Sequence, residues 1–559
     1  MAKADASELY FLPLGGVGEI GMNLALYGVG NEDDCEWIVV DMGVSFAGPE
    51  LPGVNLILPD IRFLESQRHA VRGLVITHAH EDHYGGVLDL WPKLRIPVYC
   101  TPFTAGMLET KRDTMTDVND IPINIFRPGD VFQVGPFSIE AVGVSHSIPE
   151  AVSLSITTSL GTVIHTGDWK VDPDPSLGAL TDEKRFKEIG NEGVLALICD
   201  STNATRDGVS ASEQEVAASL KEIIATSEGR VAITTFSSNI GRIRSIANAA
   251  HNAGRQVLLV GRSIKRCVSV ADDLGYMEGL DPFLNEEDFP YIARNKIVII
   301  LTGSQGEQRA ALAKLSRDEM RTLSLTAGDS VIYSSRSIPG NERDIIDTQN
   351  RLIDLGIKVI TDKDALVHVS GHPRRNELQQ MYSWVKPKIL VPVHGEATHL
   401  KAQAALGAQS GIEIIAEIRN GDLLRLAPGK PEIIDEAPVG RIFKDGNLIG
   451  DEDELGISER RKLSYVGCVS LSLLINGKNE IADEPQLVAY GLPELDGQGA
   501  SLEVTLMNAA EDALNNIPRA RRKDDEVIRE ACRRAIRSLT NTIWGKKPVV
   551  HVFLHRLKK

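Results

Sequence analysis

Gly73-Leu74-Val75-Ile76-Thr77-His78-Ala79-His80-Glu81-Asp82-His83 is the stretch on which the reading of this chain turns. An apolar run of strand character ends in four ligand-type side chains within six residues. Such spacing lets His78 and His80 serve one metal ion while Asp82 and His83 serve another. Two ions need more donors than one loop carries, together with a bridging carboxylate and an open coordination position. Three later segments offer donors in the same setting, at the end of an apolar strand: His146 in V-G-V-S-H-S, Asp168 in H-T-G-D-W and His394 in P-V-H-G-E. Asp41 and Asp200 end the runs W-I-V-V-D and L-A-L-I-C-D in the same way.

The chain around these segments has an ordinary soluble composition, with 42% apolar and 25% charged residues in 559. A length of this order implies two or three domains. The formal charge of -17 argues against indiscriminate coating of nucleic acid, whose phosphates are held mainly by lysine and arginine. Six scattered cysteines form no C-x-x-C pair, so neither a zinc ribbon nor a disulfide framework is indicated. The opening residues lack a basic segment followed by an apolar one, and no apolar run approaches the roughly 18 residues of a membrane helix. A cytoplasmic location without membrane attachment is expected.

From Trp37 to about Cys199, buried-strand runs alternate with glycine- and proline-rich connections. Near Ser212 the rhythm changes: S-E-Q-E-V-A-A-S-L has a Ser cap with Glu215 three residues on, and V-A-I-T-T-F, Q-V-L-L-V, K-I-V-I-I-L and S-V-I-Y-S-S alternate with helical stretches. This pattern predicts an inserted parallel α/β domain. L-V-H-V-S-G-H and I-L-V-P-V-H-G-E then restore the first pattern. The expected boundaries are 1–207 and 363–436 for a split first domain, 208–362 for the insertion, 437–462 for an acidic, glycine-rich linker and 463–559 for a small α+β domain. The basic cluster Arg519 to Lys523 reads as a solvated helix approach.

The H-A-H-E-D-H loop with its companions resembles the metallo-β-lactamase superfamily. The inserted domain resembles the β-CASP domain of its nucleic-acid-cutting branch. The strings D-S-T-N, S-S-R-S-I-P-G-N-E, H-V-S-G-H and P-V-H-G-E, with the C-terminal unit, are similar to the ribonuclease J family over nearly the whole chain. The resemblance implies an α/β fold: a metallo-β-lactamase αββα sandwich, an inserted β-CASP α/β domain and a small C-terminal α+β domain. It assigns His78, His80 and His146 to one zinc, Asp82, His83 and His394 to a second, and Asp168 to a bridge between them. Manganese or magnesium are alternative ions. Asp41 would orient the histidine loop. His165 and His69 match no position.

Hydrolysis of a phosphodiester also needs relief for the leaving 3′ oxygen. His372, kept protonated by Asp200, is the expected general acid, with Asp82 completing the catalytic set. His368, Val369, Ser370, Gly371 and His372 would cradle a phosphate. Ser237, Ser238 and Asn239, with Ser335, would add donors from the inserted domain. The implied activity is 5′-to-3′ exonuclease action on single-stranded 5′-monophosphate RNA with additional endonuclease action, in rRNA and mRNA maturation and decay. The implied assembly is a homodimer or homotetramer, with an RNA-degradation complex as a further partner. The competing reading is a thioester or lactone hydrolase using the same metals. A third is a non-catalytic scaffold, against which the full set of donors argues.

Overall fold

A computed structural model describes residues 7–31, 34–115, 120–338 and 340–557. Pro339, within the S-S-R-S-I-P-G-N-E string, lies outside the described residues. Two large sheets face one another across a common core. The first has eight strands in the order Glu432–Glu436, Asp422–Ala427, Glu8–Gly15, Leu24–Gly30, Cys35–Val40, Val71–Val75, Val98–Cys100 and Ile123–Ile125. The second has seven, in the order Ile414–Ile415, Ile389–Val393, Ala196–Asp200, Gly161–His165, Val152–Thr158, Phe137–Gly143 and Val131–Val134. Alternate residues of both sheets, including Phe11, Tyr27, Val40, Val75, Leu154, Ile198 and Val391, fill the space between them. The opposite faces of the central strands are buried as well, so Ala196–Asp200 is covered on both sides and reads as one unbroken apolar run.

Strand direction positions the site. Cys35–Val40 runs parallel to Val71–Val75, while Gly161–His165, Ala196–Asp200 and Ile389–Val393 are parallel neighbours. Their carboxyl ends lie at one edge, and there the chain places Asp41, the His78–His83 loop, Asp168, Asp200 and His394. The register pairs Asp200 with Val393 although the two are far apart in sequence.

Between Ala196–Asp200 and Ile389–Val393 lies a five-stranded parallel sheet, in the order Gln256–Val260, Ile297–Leu301, Val231–Thr234, Ser330–Tyr333 and Lys358–Ile360. It has its own core around Leu258, Ile299, Val331 and Leu352. The helix Glu213–Thr226 that leads into it starts on a reciprocal cap: Ser212 Oγ accepts from Glu215 N at 3.1 Å, and Ser212 N donates to Glu215 Oε2 at 2.8 Å.

Residues 47–56 and 442–559 form a second compact unit. A three-stranded sheet, in the order Gln486–Tyr490, Cys468–Ile475 and Val549–Arg556, is covered on one face by the helices Leu502–Asn515 and Asp525–Trp544. Strand Cys468–Ile475 alternates strictly between half-buried and buried positions. Leu471 lies at the centre of that core with no exposure. Leu471→Ala is expected to cost about 2–5 kcal/mol by the cavity it leaves, read as a lowered denaturation midpoint.

The stretch expected as a linker contains structure. Arg441–Asp445 and Leu448–Gly450 form a hairpin, and the helix Ile457–Val466 begins within it. Gly446-Asn447, with Gly446 at φ +59°, is a two-residue hairpin turn signal that the acidic composition masks. Asn55 N donates to Lys444 O at 2.8 Å, so a segment of the N-terminal region completes this unit. In the basic cluster, Arg522 is buried and donates to the Ile517 and Asn515 carbonyls at the end of the preceding helix, while Arg519 pairs with Glu480. Among the described residues, no helix is long and apolar enough to cross a membrane.

Candidate metal centre

The three strand ends and the His78–His83 loop converge so that ligand-type atoms group in overlapping sets within 4.8 Å: His78, His80, His146 and Asp168; Asp82, His83, Asp168 and His394; and Asp168, Asp200, His372 and His394. In the first set His80 Nδ1 lies 3.1 Å from His78 Nε2 and 3.0 Å from His146 Nε2. Asp168 Oδ2 lies 3.7 and 3.6 Å from those two Nε2 atoms. A tetrahedron with zinc bonds of about 2.0–2.1 Å has edges of about 3.3–3.4 Å, so these donors suit one cation. In the second set Asp82 Oδ2 is 3.6 Å from His83 Nε2 and 3.3 Å from His394 Nε2, with Asp168 Oδ2 at 3.3 Å from His83 Nε2.

Two further observations fit cations here. Asp168 Oδ1 is buried without a hydrogen-bond partner, and a buried carboxylate oxygen in that state is costly unless a cation faces it. His146 donates from Nδ1 to the Gly371 carbonyl, which leaves its Nε2 lone pair turned inward among the ligand-type atoms of the first set.

The far sides of the rings are held. His83 Nδ1 is 2.7 Å from Asp41 Oδ2, His78 Nδ1 is 3.0 Å from Thr77 Oγ1, His146 Nδ1 is 2.8 Å from the Gly371 carbonyl and His394 Nδ1 is 2.8 Å from Thr202 Oγ1. These contacts set ring orientation and tautomer. Asp41 also accepts from Thr77 N at 2.8 Å, joining the ends of two parallel strands. Asp41 and His394 have left-handed backbones, with φ of +63° and +51°, a conformation uncommon for non-glycine residues.

Burial, the largest influence, lowers His78 and His146 well below the ordinary imidazole range and brings His80 to about 4, so these rings are neutral and free to ligate. Burial also pulls on His394, but Asp168, Asp200 and Asp82 outweigh it and raise it to about 10. Burial would raise the Asp168 carboxyl, yet His394, His83 and His372 hold it well below the carboxylate range. Cation binding at the second set would therefore displace a proton.

His372 stands beside the cluster, Nδ1 at 2.8 Å from Asp200 Oδ2 and Nε2 at 3.9 Å from Asp168 Oδ2. Burial works against its charge, but Asp200 and Asp168 prevail and raise its pKa. Its loop is fixed by Asn203 Nδ2, which donates to Ser370 Oγ at 2.9 Å and to the His372 carbonyl at 3.0 Å. A Cβ on Gly371 would stand 2.7 Å from His146 Cε1. Gly371→Ala should displace the His146 ring and lower RNA turnover by about 10²-fold with the fold retained, checked by steady-state cleavage beside circular dichroism.

The other expected phosphate contacts divide. His368 Nδ1 and Ser335 Oγ are buried without hydrogen-bond partners, and Val369 is buried. Ser237 Oγ bonds Ser263 Oγ at 2.8 Å, and Asn239 Oδ1 caps the helix Ile240–Asn252 by accepting from Arg242 N at 2.9 Å. Ser238 is half-buried. His165 joins none of the ligand groupings and bonds the Tyr27 hydroxyl at 2.9 Å. Sequence reading missed Asn23, whose Nδ2 lies 3.1 Å from His83 Nε2 and donates to the Asp82 carbonyl. No local pattern marks it. Thr202 and Asn203 belong to the D-S-T-N string and were within reach.

Four family models match the chain: "Beta-lactamase superfamily domain" over 36–186, "Ribonuclease J, beta-CASP domain" over 228–352, "Zn-dependent metallo-hydrolase RNA specificity domain" over 356–416 and "Ribonuclease J C-terminal domain" over 455–557. A ribonuclease J of Sinorhizobium meliloti is 63% identical over 99% of this chain and 98% of its own length. The chain belongs to the ribonuclease J family. A ribonuclease J of Thermus thermophilus is 33% identical over 96% of this chain and 94% of its own length. A relative named ribonuclease J2, from Bacillus subtilis, is 34% identical over 88% of each. A solved structure from Enterococcus faecalis, described as a protein of unknown function, has a TM-score of 0.52 at 16% identity, covers 75% of this chain and all of its own, and shares the fold alone. Family membership makes the chain a metal-dependent ribonuclease with RNA as its substrate, in place of a thioester or lactone hydrolase.

Proposed function

We propose that this ribonuclease cleaves single-stranded RNA from its 5′-monophosphate end in the 5′-to-3′ direction, with additional endonucleolytic cleavage, through two zinc ions that share Asp168. Its cellular place would be rRNA and mRNA maturation and decay in the cytoplasm, as a homodimer or homotetramer associated with an RNA-degradation complex. The observation that carries the reading is the sharing of Asp168 between two donor sets, with the His372–Asp200 pair beside both. His78, His80, His146 and Asp168 would hold one ion, and Asp82, His83, His394 and Asp168 the other; manganese or magnesium suits the same mixed shell. When bound, the ions lower the pKa of an attacking water and neutralise charge on the scissile phosphate.

The protein does the rest. Asp41, Thr77, Thr202 and the Gly371 carbonyl hold the rings so that no reorganisation is needed during the reaction. His372 keeps a proton on Nδ1 toward Asp200 and presents Nε2–H for the leaving 3′ oxygen. The Ser370 hydroxyl would supply a donor to substrate phosphate, with His368 and Ser335 lining the same place.

The test is a time course on a long RNA labelled at its 5′ end and carrying either a monophosphate or a triphosphate. Early mononucleotide release from the monophosphate alone is expected. Internal fragments as the first products from both substrates would overturn the exonucleolytic part. Light scattering of the purified protein reads the oligomer, and elemental analysis reads the ions.

A further inference from the structure

A buried polar chain runs from the edge of the metal centre into the inserted domain. Lys170, two residues after Asp168, is wholly buried, donates its backbone N–H to the Ser145 carbonyl beside His146, and pairs through Nζ with Asp172 Oδ2 at 2.6 Å. The same Asp172 oxygen accepts from Glu213 N at 3.0 Å, a backbone donor left free in the first turn of the helix Glu213–Thr226. The Glu213 carboxylate grips Arg242 with two bonds of 2.9 Å, to Nε and to a terminal guanidinium nitrogen. The other terminal nitrogen reaches Ser334 Oγ at 2.7 Å and the Val367 carbonyl at 3.1 Å. Ser334 Oγ also donates to that carbonyl at 2.7 Å. Arg242 has no exposure.

Apolar residues of the same volume would serve stability as well as a buried ion pair, so the pair is better explained by the geometry it imposes. That geometry is specific. Val367 opens the H-V-S-G-H loop, and two donors fix its carbonyl. The far end of the loop is anchored separately, by Asn203 at the His372 carbonyl and by Asp200 at the His372 ring. The two ends of the loop, Val367 and His372, therefore have different supports, while Asn203 also reaches Ser370 Oγ between them.

We propose that Arg242 and Glu213, acting through Ser334, are positioning residues that set the phosphate-contacting half of this loop, His368 to Ser370, against the metal centre and so determine affinity for RNA. The inference rests on the reading of the site as an RNA-cleaving one. Neither residue touches substrate. Loss of the pair should loosen the His368 end while leaving the His372 end and the cations in place.

The experiment measures steady-state cleavage of 5′-monophosphorylated RNA by the metal-loaded full chain and by Arg242→Lys, Glu213→Gln, Ser334→Ala and Ser334→Thr variants, with bound metal read by elemental analysis. Arg242→Lys and Glu213→Gln should raise KM by about 10- to 100-fold, the scale of a misplaced binding contact, with kcat at saturating RNA and metal content close to wild type. Ser334→Ala removes one hydroxyl and no charge, so it tests the idea even where the charged variants do not fold. It should raise KM several-fold, and Ser334→Thr, which keeps the hydroxyl, should restore it. An unchanged KM in folded Ser334→Ala, a fall confined to kcat, or loss of bound metal in parallel with activity would overturn the proposal. Wild-type protein that fails to cleave RNA would sink the underlying reading with it, whereas active wild type with indifferent variants would sink only this inference.

Discussion

Asp168→Ala should lower RNA cleavage by at least about 10⁴-fold, the scale seen when a residue acting as part of a catalytic unit is removed. Asp168 is common to all three ligand groupings, within 3.3–3.7 Å of the ring nitrogens of His78, His83 and His146. Its loss removes a donor from both sets at once and leaves His83 and His394 with one carboxylate fewer to offset their burial. His80→Ala and Asp82→Ala each touch one set and should still reduce cleavage by at least about 10³-fold, because the proposed mechanism would need both ions together. Elemental analysis separates the cases: Asp168→Ala should retain little metal, and each single-set variant about half the wild-type content. RNA binding, read by gel shift, should survive in all three. Wild-type turnover in any of them would remove the metal centre from the mechanism. Chelation should reproduce the loss and lower the melting temperature, since ligands that bind only the native state stabilise it.

His372→Ala should reduce kcat by about 10²- to 10⁴-fold, the usual contribution of a positioned acid or base. The ring also joins Asp168, Asp200 and His394 within ligand distance, so two roles compete for it. A general acid predicts unchanged metal content and near-normal cleavage of a substrate whose 3′ leaving oxygen is replaced by a better leaving sulfur. A ligand predicts lost metal and no such rescue. Asp200→Asn keeps the shape of the partner at 2.8 Å but removes the charge that raises the His372 pKa. It should lower kcat by about 10-fold or more, with the loss smaller at low pH, where His372 is protonated without help.

Legibility followed the distance between cooperating residues. The His78–His83 loop can be read from its own spacing, and the strand-end settings of His146, Asp168, Asp200 and His394 from the apolar runs before them. The Ser212 to Glu215 cap has a fixed local signature for the same reason. Asn23 carries none, because its amide meets His83, 60 residues away in sequence, only once the sheet is assembled. The hairpin at 441–450 sits in an acidic, glycine-rich stretch where composition speaks for a linker, while the Gly-Asn turn and the Asn55 contact speak for structure. Arg242 is the same problem in sharper form. An arginine on a helix reads as exposed, and only Glu213, Ser334 and Val367, from three other segments, make its burial tolerable.

The sequence by itself determined the inventory: which residues can ligate, where strands end, and that a parallel α/β segment interrupts the first domain. Tertiary structure decided the pairings: that Asp168 is shared, that Asp200 faces His372, and that the Gly371 carbonyl holds His146. The physical reason is that ligand type and strand periodicity are properties of neighbouring residues. Convergence of donors to within hydrogen-bond distance depends instead on strand order and register, which are set by the packing of two sheets over one core.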